Sequence, residues 1–540
     1  MKQGQDQQDL VPYASVSDLP WIPVRELDGT PIRLGLRQVL ARAHELDGLG
    51  TDSAIELSSL YRFLTAVTAL VVREMGGVAA GGRLDAGAVD AVLDRHADAL
   101  YLRHPTTPFA QEWHYDEQEP PGKVSPMDSF RFESPGATSK SWQDRGSRVA
   151  RWMPAMDLGV VALHLACHWF HGLGGNARSL HPDVRCLPGA IGSQVGNDLA
   201  VFWRGQTLAA SLLANTPRAW VRSVALPAFL DRTGITRGPV NELEPLWALT
   251  YTPNAILLCW SGDDVAGYRP GGSVWGLVDV RTADEHAQTK AQAGERRELR
   301  KAAMARLKRL DPARLWTHDG KGELVQYKKM RADQAPLVRL REWYQAQGGK
   351  ALTATANRQH AVAAPDLASG LWTLEFYSAL VELKGMAPMF ADATWFTCDP
   401  DELDLDEQSA EILVRVAQLA ESLAEVTGRA MQAESGPLHG VAKGTRYALA
   451  DEVRARFWVL AEDASRAAIA AITAHGEDPT DTLRQALGTC ALTAFTEASE
   501  PFLSTATAAA VLRARQEHRN RVLRLTAPIT TGTTPQEDAA

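Results

Sequence analysis

Two apolar segments near the start of the chain flank a turn signal. The residues from Leu19 to Val24 are mostly apolar and lead into Asp28-Gly29, a dipeptide that favours tight turns. A second extended segment follows from Ile32. This order predicts a β-hairpin.

A long helix should follow this hairpin. Asp52 or Ser53 can cap its first turn, and Gly76-Gly77 ends the pattern. A second, shorter apolar helix is predicted from Val160 to Phe170 and stops at a glycine-rich stretch. In the long helix, apolar residues recur every three or four positions, as on a buried helix face: Leu57, Leu60, Leu64, Val67, Leu70 and Val71.

Periodicity is interrupted elsewhere in the first two thirds of the chain. Pro, Gly, Ser and Asp break every pattern from Leu102 to Met153, and a second irregular stretch runs to about Asp198. Loops of this length are typically functional or disordered. Further on, 243–260 is predicted to be a buried strand, and 284–310 a helix rich in both charges.

The last third of the chain is Ala-rich and helical. Similar helical stretches cover about 446–474 and 481–520, with breaks at 476–479 and near Glu500-Pro501. We therefore expect four antiparallel helices and then a disordered polar tail. The first of these helices has the apolar seam of a bundle, in alternating steps of four and three: Ile412, Val416, Leu419, Leu423 and Val426.

Composition excludes several classes of protein. The chain has 540 residues and a formal net charge of -9, so any contact with nucleic acid must be local rather than spread over the surface. No run of about 18 apolar residues indicates a membrane span, and the polar start indicates no signal peptide, so we expect a cytoplasmic protein. The five cysteines are scattered and odd in number, as expected of free thiols in a reducing compartment.

Local motifs give no support for catalysis. The chain lacks the signatures of P-loops, zinc peptidases and nucleophile elbows, and it has no CxxC pair. A zinc site is an alternative, because thiolate and imidazole ligands are concentrated in one segment, although their spacing fits no common zinc finger. These residues are Cys167, His168, His171, His181 and Cys186.

Two features have both a structural and a functional interpretation. The glycines between Gly172 and Gly175 follow a helix, where glycine often forms a left-handed cap. Backbone without Cβ atoms can also approach a DNA groove or a phosphate. The densest basic run, 296–309, can either coat a solvated helix face or neutralise phosphates.

Seven short motifs occur in order along the chain: Trp21 to Val24, Thr107 to Gln111, Val124 to Thr138, Gly172 to Gly175, Phe202 to Gly205, Leu208 to Asn215 and Leu246 to Cys259. Together they resemble the CasA family, the large subunits of the type I-E CRISPR surveillance complex called Cascade. No single motif is specific, but their order and intervals are. The resemblance spans about 18–525 and is thin between 265 and 400.

The resemblance implies an α+β fold with a large mixed α/β N-terminal domain at 18–390 and a C-terminal four-helix bundle at 395–525. The ends, 1–17 and 526–540, should be flexible. The family is described as non-enzymatic and recognises the protospacer-adjacent motif (PAM) from the minor-groove side of double-stranded DNA. It uses a glycine loop, a lysine finger and a wedge hairpin that opens the first base pairs.

These three elements can be carried over residue by residue. The glycine loop would comprise Gly172, Leu173, Gly174, Gly175 and Asn176. The lysine finger falls in the thin region, where Lys301 is favoured and the other candidates are Lys290, Arg300 and Arg297. The wedge hairpin would have its tip at Leu383, Lys384, Gly385 and Met386, although the Asn-Gln pair of family members is missing there. Apolar wedges at a base step can unstack DNA.

A loop at 126–144 matches the one through which the family attaches to the complex near the 5′ end of the guide RNA. Its predicted contact residues are Phe130, Phe132, Gly136, Ala137, Thr138, Lys140 and Trp142. The aromatic side chains suit a partner surface, or alternatively fold back onto their own domain. The cysteine-rich metal insert of some relatives is missing after Cys259.

The resemblance therefore predicts a Cascade subunit without catalytic residues, metal or cofactor. It would test the PAM, help to start unwinding and R-loop formation, and provide the docking site for the helicase-nuclease in antiviral defence. The predicted partners are the backbone, small and guide 5′-end subunits, the 5′ region of the crRNA, double-stranded target DNA and the helicase-nuclease, but no membrane. The alternatives are a metal-dependent hydrolase using the His and Cys residues of 164–186, and a purely structural scaffold.

Overall fold

The computed structural model describes residues 11–78, 82–111, 124–127, 130, 156–172, 184–185, 199–231, 234–239, 242–252, 254–272, 281–282, 298, 302, 310–314, 316–318, 324–326, 334–346, 361–366, 369–384, 387–432, 443–504 and 507–527. The chain divides into two compact units. The N-terminal unit is Met1–Trp316, Gln326–Lys328 and Ala354–Pro400, and the C-terminal unit is Thr317–Val325, Lys329–Thr353 and Asp401–Ala540.

The core of the N-terminal unit is built around helix α2 (Ala54–Glu74), as the apolar pattern predicts. Ser53 caps it by accepting a hydrogen bond from the backbone N–H of Glu56. Every residue from Leu57 to Val72 is buried, including the polar Ser58, Ser59, Arg62, Thr65 and Thr68, so the helix is covered by protein on all sides. Among the described helices, α2 alone has the length and hydropathy of a membrane span, but 94% of that apolar window is buried inside the protein, as in a core helix.

The predicted N-terminal hairpin is confirmed. Strand β2 (Ile22–Glu26) pairs antiparallel with β3 (Pro31–Leu34), and β4 (Leu46–Leu49) pairs with the other edge of β2. Gly29 adopts a positive φ of 86° in the turn, a conformation that glycine accepts without strain. Strand β1 (Tyr13–Ser15) corrects the prediction that 1–17 is flexible throughout, because it pairs with β5 (Tyr101–Arg103).

A second three-stranded sheet contains the predicted wedge hairpin. Strand β7 (Leu199–Arg204) pairs antiparallel with β13 (Thr373–Lys384), which pairs antiparallel with β14 (Ala387–Cys398). The central strand β13 contacts α2, so this sheet is anchored on the core helix.

The remaining elements of the N-terminal unit are short helices and strand pairs. Strand β8 begins at Asn254, so the predicted strand over 243–260 is wrong in its first half, where Pro245 starts a helix. Pro suits the first helical turn because its missing N–H would have no partner there. These elements are α1 (Leu36–Ala41), α3 (Ala86–Arg95), α4 (Leu158–His171), α5 (Leu208–Asn215), α6 (Arg218–Arg222), α7 (Pro245–Leu249), β6 (Val184–Arg185) paired with β10 (Arg281–Thr282), and β8 (Asn254–Ser261) paired with β9 (Asp264–Gly272). Two further strands, β11 (Trp316–His318) and β12 (Leu324–Gln326), pair with each other, and most of their residues belong to the C-terminal unit.

The C-terminal unit is helical, and together with the mixed N-terminal unit it confirms the predicted α+β class. Helix α9 (Glu407–Gln432) buries Ile412, Val416 and Leu423 of its predicted seam, whereas Leu419 and Val426 are half-buried. It packs against α8, α10, α12 and α13. The stretch predicted as one helix over 446–474 is two helices, which meet at Ala461. The next break is as predicted, because Gly476 caps α11 with a φ of 60°. The described helices of this unit are α8 (Pro336–Ala346), α9 (Glu407–Gln432), α10 (Lys443–Leu460), α11 (Glu462–His475), α12 (Thr480–Ser499) and α13 (Ala508–Thr526).

Candidate nucleic-acid interface

The candidate glycine loop begins at the end of α4. Asp157 caps this helix by accepting a hydrogen bond from the N–H of Val160 at 2.7 Å, and α4 packs against α2. The helix ends at Gly172, whose N–H donates to the carbonyl oxygen of His168 at 2.9 Å. Gly172 has a φ of -53°, so the left-handed cap does not account for this glycine. Leu173, Gly174, Gly175 and Asn176 lie outside the described residues, and their role stays a prediction.

The thiol and imidazole groups near the end of α4 are packed into the protein. Cys167 is fully buried, and the Nε2–H of His168 donates to the carbonyl oxygen of Phe130 at 2.7 Å. Burial lowers the pKa of His168 to about 4 and that of His171 to about 3, so both rings are neutral at pH 7. Within the described residues, no group of three or more His, Cys, Asp or Glu side chains is placed to hold a metal ion. His181 and Cys186 lie outside them.

Phe130 requires a correction to the predicted docking loop. Its side chain is fully buried in its own unit, with ring centroids 4.7 Å from His168 and 4.9 Å from Tyr268. Phe130 therefore folds back onto its own domain, because burying an aromatic ring against α4 and β9 is more favourable than exposing it to water. The other predicted contacts lie outside the described residues: Phe132, Gly136, Ala137, Thr138, Lys140 and Trp142.

The predicted wedge coincides with the end of a long β-hairpin. Its two strands have twelve residues each, and Lys384 pairs with Ala387, so Gly385 and Met386 are the connection. Leu383 and Lys384 are the last residues of β13, and they pair with Pro388 and Ala387 of β14. Gly385 and Met386 lie outside the described residues, and a wedge action on DNA stays a prediction.

The base of this hairpin contains a buried polar network. Glu375 is 4% exposed, accepts a hydrogen bond from the hydroxyl of Tyr377 at 2.5 Å and pairs with Arg204 at 3.4 Å. Arg204 also binds Asp47 at 2.9 Å. Burial and the carboxylate of Glu375 hold the pKa values of Tyr61 and Tyr377 well above the usual value, so both hydroxyls stay protonated.

The segment with the lysine-finger candidates ends at a buried ion cluster. Asp311 is 2% exposed and pairs with Arg62 of α2 at 3.3 Å and with Arg314 at 3.1 Å. Burial alone would raise the pKa of Asp311, but the two arginines outweigh it and hold the pKa below its usual value. Glu298, Ala302 and Leu310 are helical, which agrees with a helix in this segment. Lys290, Arg297, Arg300 and Lys301 lie outside the described residues.

A pocket of about 370 Å³ lies beside this ion cluster, and sequence reasoning missed it. Asp311 and Pro312 form one part of its wall, and Trp203 another. The exposed side chains of Arg218 and Arg222 on α6 also line it. The pocket adds positive charge next to the end of the basic segment.

A family model of the CRISPR-associated protein Cse1 matches residues 16–496 of the chain. A curated relative, the CRISPR-associated protein CasA/Cse1 of Thermus thermophilus, is 31% identical over 112 residues. That match spans 19% of this chain and only 22% of the length of the relative.

Solved structures resemble the chain over nearly its whole length. Thermus thermophilus CasA (Cse1) has a TM-score of 0.60 at 20% identity, covering 96% of this chain and 99% of that one. Cse1 from Acidimicrobium ferrooxidans has a TM-score of 0.59 at 18% identity, covering 95% and 98%. A chain of a CRISPR RNA-guided surveillance complex has a TM-score of 0.58 at 19% identity, covering 95% and 100%. At these identities the likeness establishes a shared fold.

Proposed function

Because the chain belongs to the Cse1 family of CRISPR-associated proteins, we propose that it is the large subunit of a type I-E RNA-guided surveillance complex and recognises the PAM of double-stranded DNA. A solved chain that shares its fold belongs to a CRISPR RNA-guided surveillance complex. The guide RNA would read the target by base pairing, while this subunit would test the short flanking motif and help to open the first base pairs.

The observation that carries the proposal is that three elements of the N-terminal unit share one structural support. The end of α4, the residues that follow the basic segment and the base of the β13–β14 hairpin all contact the core helix α2 or its direct neighbours. Recognition of a duplex from one side requires such elements to be held in a fixed arrangement, because a displacement of a few ångströms breaks a hydrogen bond.

Each element supplies a different part of the chemistry. Glycines that follow Gly172 would let backbone enter a minor groove about 6 Å wide. Lys301 or its basic neighbours would bind phosphates or base edges, each phosphate contact releasing a counterion. The hairpin tip at Gly385-Met386 would press against the first base step and favour unstacking.

The subunit would act by binding rather than by catalysis, in the cytoplasm and without a cofactor. The helical C-terminal unit would contact the backbone and small subunits, and the loop at 126–144 the guide 5′-end subunit and the crRNA. The N-terminal unit would provide the docking site for the helicase-nuclease. The net charge of -9 favours this division, since a uniformly basic subunit would bind any DNA and slow the search for targets.

The test is target binding by a guide-loaded complex core, with and without this chain, on duplexes that differ only in the flanking motif. We expect the chain to raise affinity for one motif class, and Gly174→Asp or Lys301→Ala to remove the gain. Gly444→Asp and Lys443→Ala are matched controls, because both residues are exposed in the C-terminal unit and a Cβ at Gly444 meets no neighbouring atom. If the chain joins the core without any motif dependence, the recognition role is wrong.

A further inference from the structure

Two adjacent residues of α2 contact the structural supports of two of the elements that we propose to recognise DNA. Tyr61 and Arg62 are fully buried or nearly so, at 1% and 5% exposure. Successive residues on a helix point about 100° apart, so neighbours in sequence can reach separate structural elements. Tyr61 contacts the sheet that carries the hairpin, and Arg62 contacts the end of the basic segment.

The contacts of Tyr61 are aromatic and specific to the base of the hairpin. Its ring stacks on Phe202 of β7, with centroids 4.9 Å apart, and lies 6.3 Å from Tyr377 of β13. The hydroxyl of Tyr377 in turn donates to Glu375, which pairs with Arg204 at the end of β7. A displacement of the hairpin base from α2 would therefore break the aromatic contacts of Tyr61 with Phe202 and Tyr377.

The contacts of Arg62 are ionic and fix the residues that follow the basic segment. Both terminal nitrogens of its guanidinium donate to the two carboxylate oxygens of Asp311, at 3.4 and 3.3 Å. Asp311 also accepts the backbone N–H of Ala313 at 3.0 Å, and the carbonyl oxygen of Ala313 accepts the N–H of Val201 in β7 at 2.9 Å. A bidentate interaction of this kind fixes the orientation of the Asp311 carboxylate relative to Arg62 as well as the distance between them.

The end of α4 completes the arrangement. His171, its last residue, is 4% exposed, and its pKa is lowered first by burial and then by the charge of Arg62. Helix α4 packs against α2, and the ring of His171 lies within electrostatic range of Arg62. Its neutral state avoids adding a positive charge beside that guanidinium. Gly172 follows directly, so the start of the glycine loop belongs to the same neighbourhood.

We propose that Tyr61 and Arg62 are positioning residues, which hold the end of α4, the residues after the basic segment and the hairpin base as one rigid assembly. This inference rests on the proposed function, because only DNA recognition gives the assembly its purpose. Neither residue contacts DNA. Their effect is on the discrimination between flanking motifs, which depends on all three elements keeping their relative positions.

The test has two readouts on the full-length chain, with Asp311→Asn, Arg62→Met and Arg62→Lys as variants. Val39→Ala is the control, because Val39 is fully buried on α1 of the same unit, and α1 contacts α3 and β2. All are compared well below the lowest melting temperature, so that loss of the global fold does not contribute. The first readout is backbone hydrogen exchange, and the second is motif-dependent binding in the guide-loaded complex.

We expect Asp311→Asn and Arg62→Met to speed exchange about tenfold at 311–314, in the last turn of α4 and at 374–378 together, and Arg62→Lys to have a smaller effect. The ratio of affinities for two flanking motifs should fall by a similar factor, with unchanged assembly into the complex. Val39→Ala should change exchange around α1 alone and leave the ratio intact.

Exchange changes confined to 311–314 would overturn the inference, as would a motif ratio that falls no further than in Val39→Ala. If the wild-type complex does not distinguish motifs, the proposed function fails. Hydrogen exchange still decides whether the end of α4, the residues after the basic segment and the hairpin base are coupled. A failure of the proposed function is therefore distinguishable from a failure of this inference.

Discussion

The N-terminal unit contains a buried ion cluster in addition to its surface ion pairs, and this cluster contrasts with an exposed ion pair of the C-terminal unit. In the N-terminal unit, Arg62, Asp311 and Arg314 form a cluster in which every member is at most 5% exposed. In the C-terminal unit, pairs such as Arg429 with Glu425 lie on the helix surface four residues apart, with 66% and 46% of the side chains exposed. Buried pairs fix geometry at a desolvation cost, whereas exposed pairs contribute little.

This difference indicates that the C-terminal unit depends mainly on apolar burial, whereas the N-terminal unit also depends on polar contacts that fix the relative positions of its elements. The C-terminal unit is held by the repeating apolar seam of α9, in which Val416 and Leu423 are fully buried. The N-terminal unit adds specific polar contacts between residues far apart in sequence, in the region where we propose that DNA is recognised. Four substitutions or changes of condition test this contrast.

The largest effect should come from removing the shared acid of the buried cluster. Asp311→Ala leaves Arg62 and Arg314 buried side by side without their carboxylate, so we expect a loss of about 4 kcal/mol in the free energy of unfolding of the N-terminal unit. Urea denaturation followed by tryptophan fluorescence measures it. A loss below about 1 kcal/mol would show that this buried cluster contributes no more to stability than an exposed ion pair.

The seam of the C-terminal unit should be the next most sensitive. Leu423→Ala removes a fully buried side chain from α9, and we expect a loss of about 3 kcal/mol from lost burial and the cavity that remains. Leu512→Ala is the matched control, since Leu512 is 57% exposed on α13 and should change stability by less than about 0.5 kcal/mol. Equal losses for the two would show that the seam is not the source of stability.

The neutral His171 should make the N-terminal unit sensitive to mild acid. Its pKa is lowered to about 3 in the folded protein, so below the unfolded value of about 6.5 the unfolded chain takes up a proton that the folded chain does not. Stability from this group is complete above that value and is lost as the pH falls. Wild type should lose about 2 kcal/mol more than His171→Gln between pH 7 and pH 5. An identical pH dependence of the two would mean that His171 is solvated.

The smallest effect should come from a surface pair. Arg429→Ala removes an exposed partner of Glu425, and we expect a change of at most about 0.5 kcal/mol in the stability of the C-terminal unit. The same substitution should lose its effect in high salt, which screens exposed charges. A larger change that persists in salt would show that helix-surface pairs also have a structural role.

The sequence predicted the parts of the fold that depend on local pattern. The periodicity of α2 and α9 and the turn of the N-terminal hairpin indicated elements that the structure contains. The pairing of Lys384 with Ala387 closes the long hairpin, and the wedge role of the two residues between them stays a prediction. An apolar run alone cannot separate strand from helix, which is why α7 was missed.

The contacts that organise the candidate interface could not be predicted in the same way. Arg62 and Asp311 are 249 residues apart, and a charged residue within an apolar helix carries no sign of its partner. Glu375 similarly looked like an ordinary alternating strand residue. Phe130 was ambiguous because an aromatic residue in a polar loop can cover either a partner or its own domain.

The most direct test of the central claim is the ratio of affinities of the guide-loaded complex for two duplexes that differ only in the flanking motif, measured with and without this chain. We predict a ratio well above one only when the chain is present, and its loss in Lys301→Ala but not in Lys443→Ala. A ratio that is the same without the chain, in a complex that the chain demonstrably joins, would contradict the account.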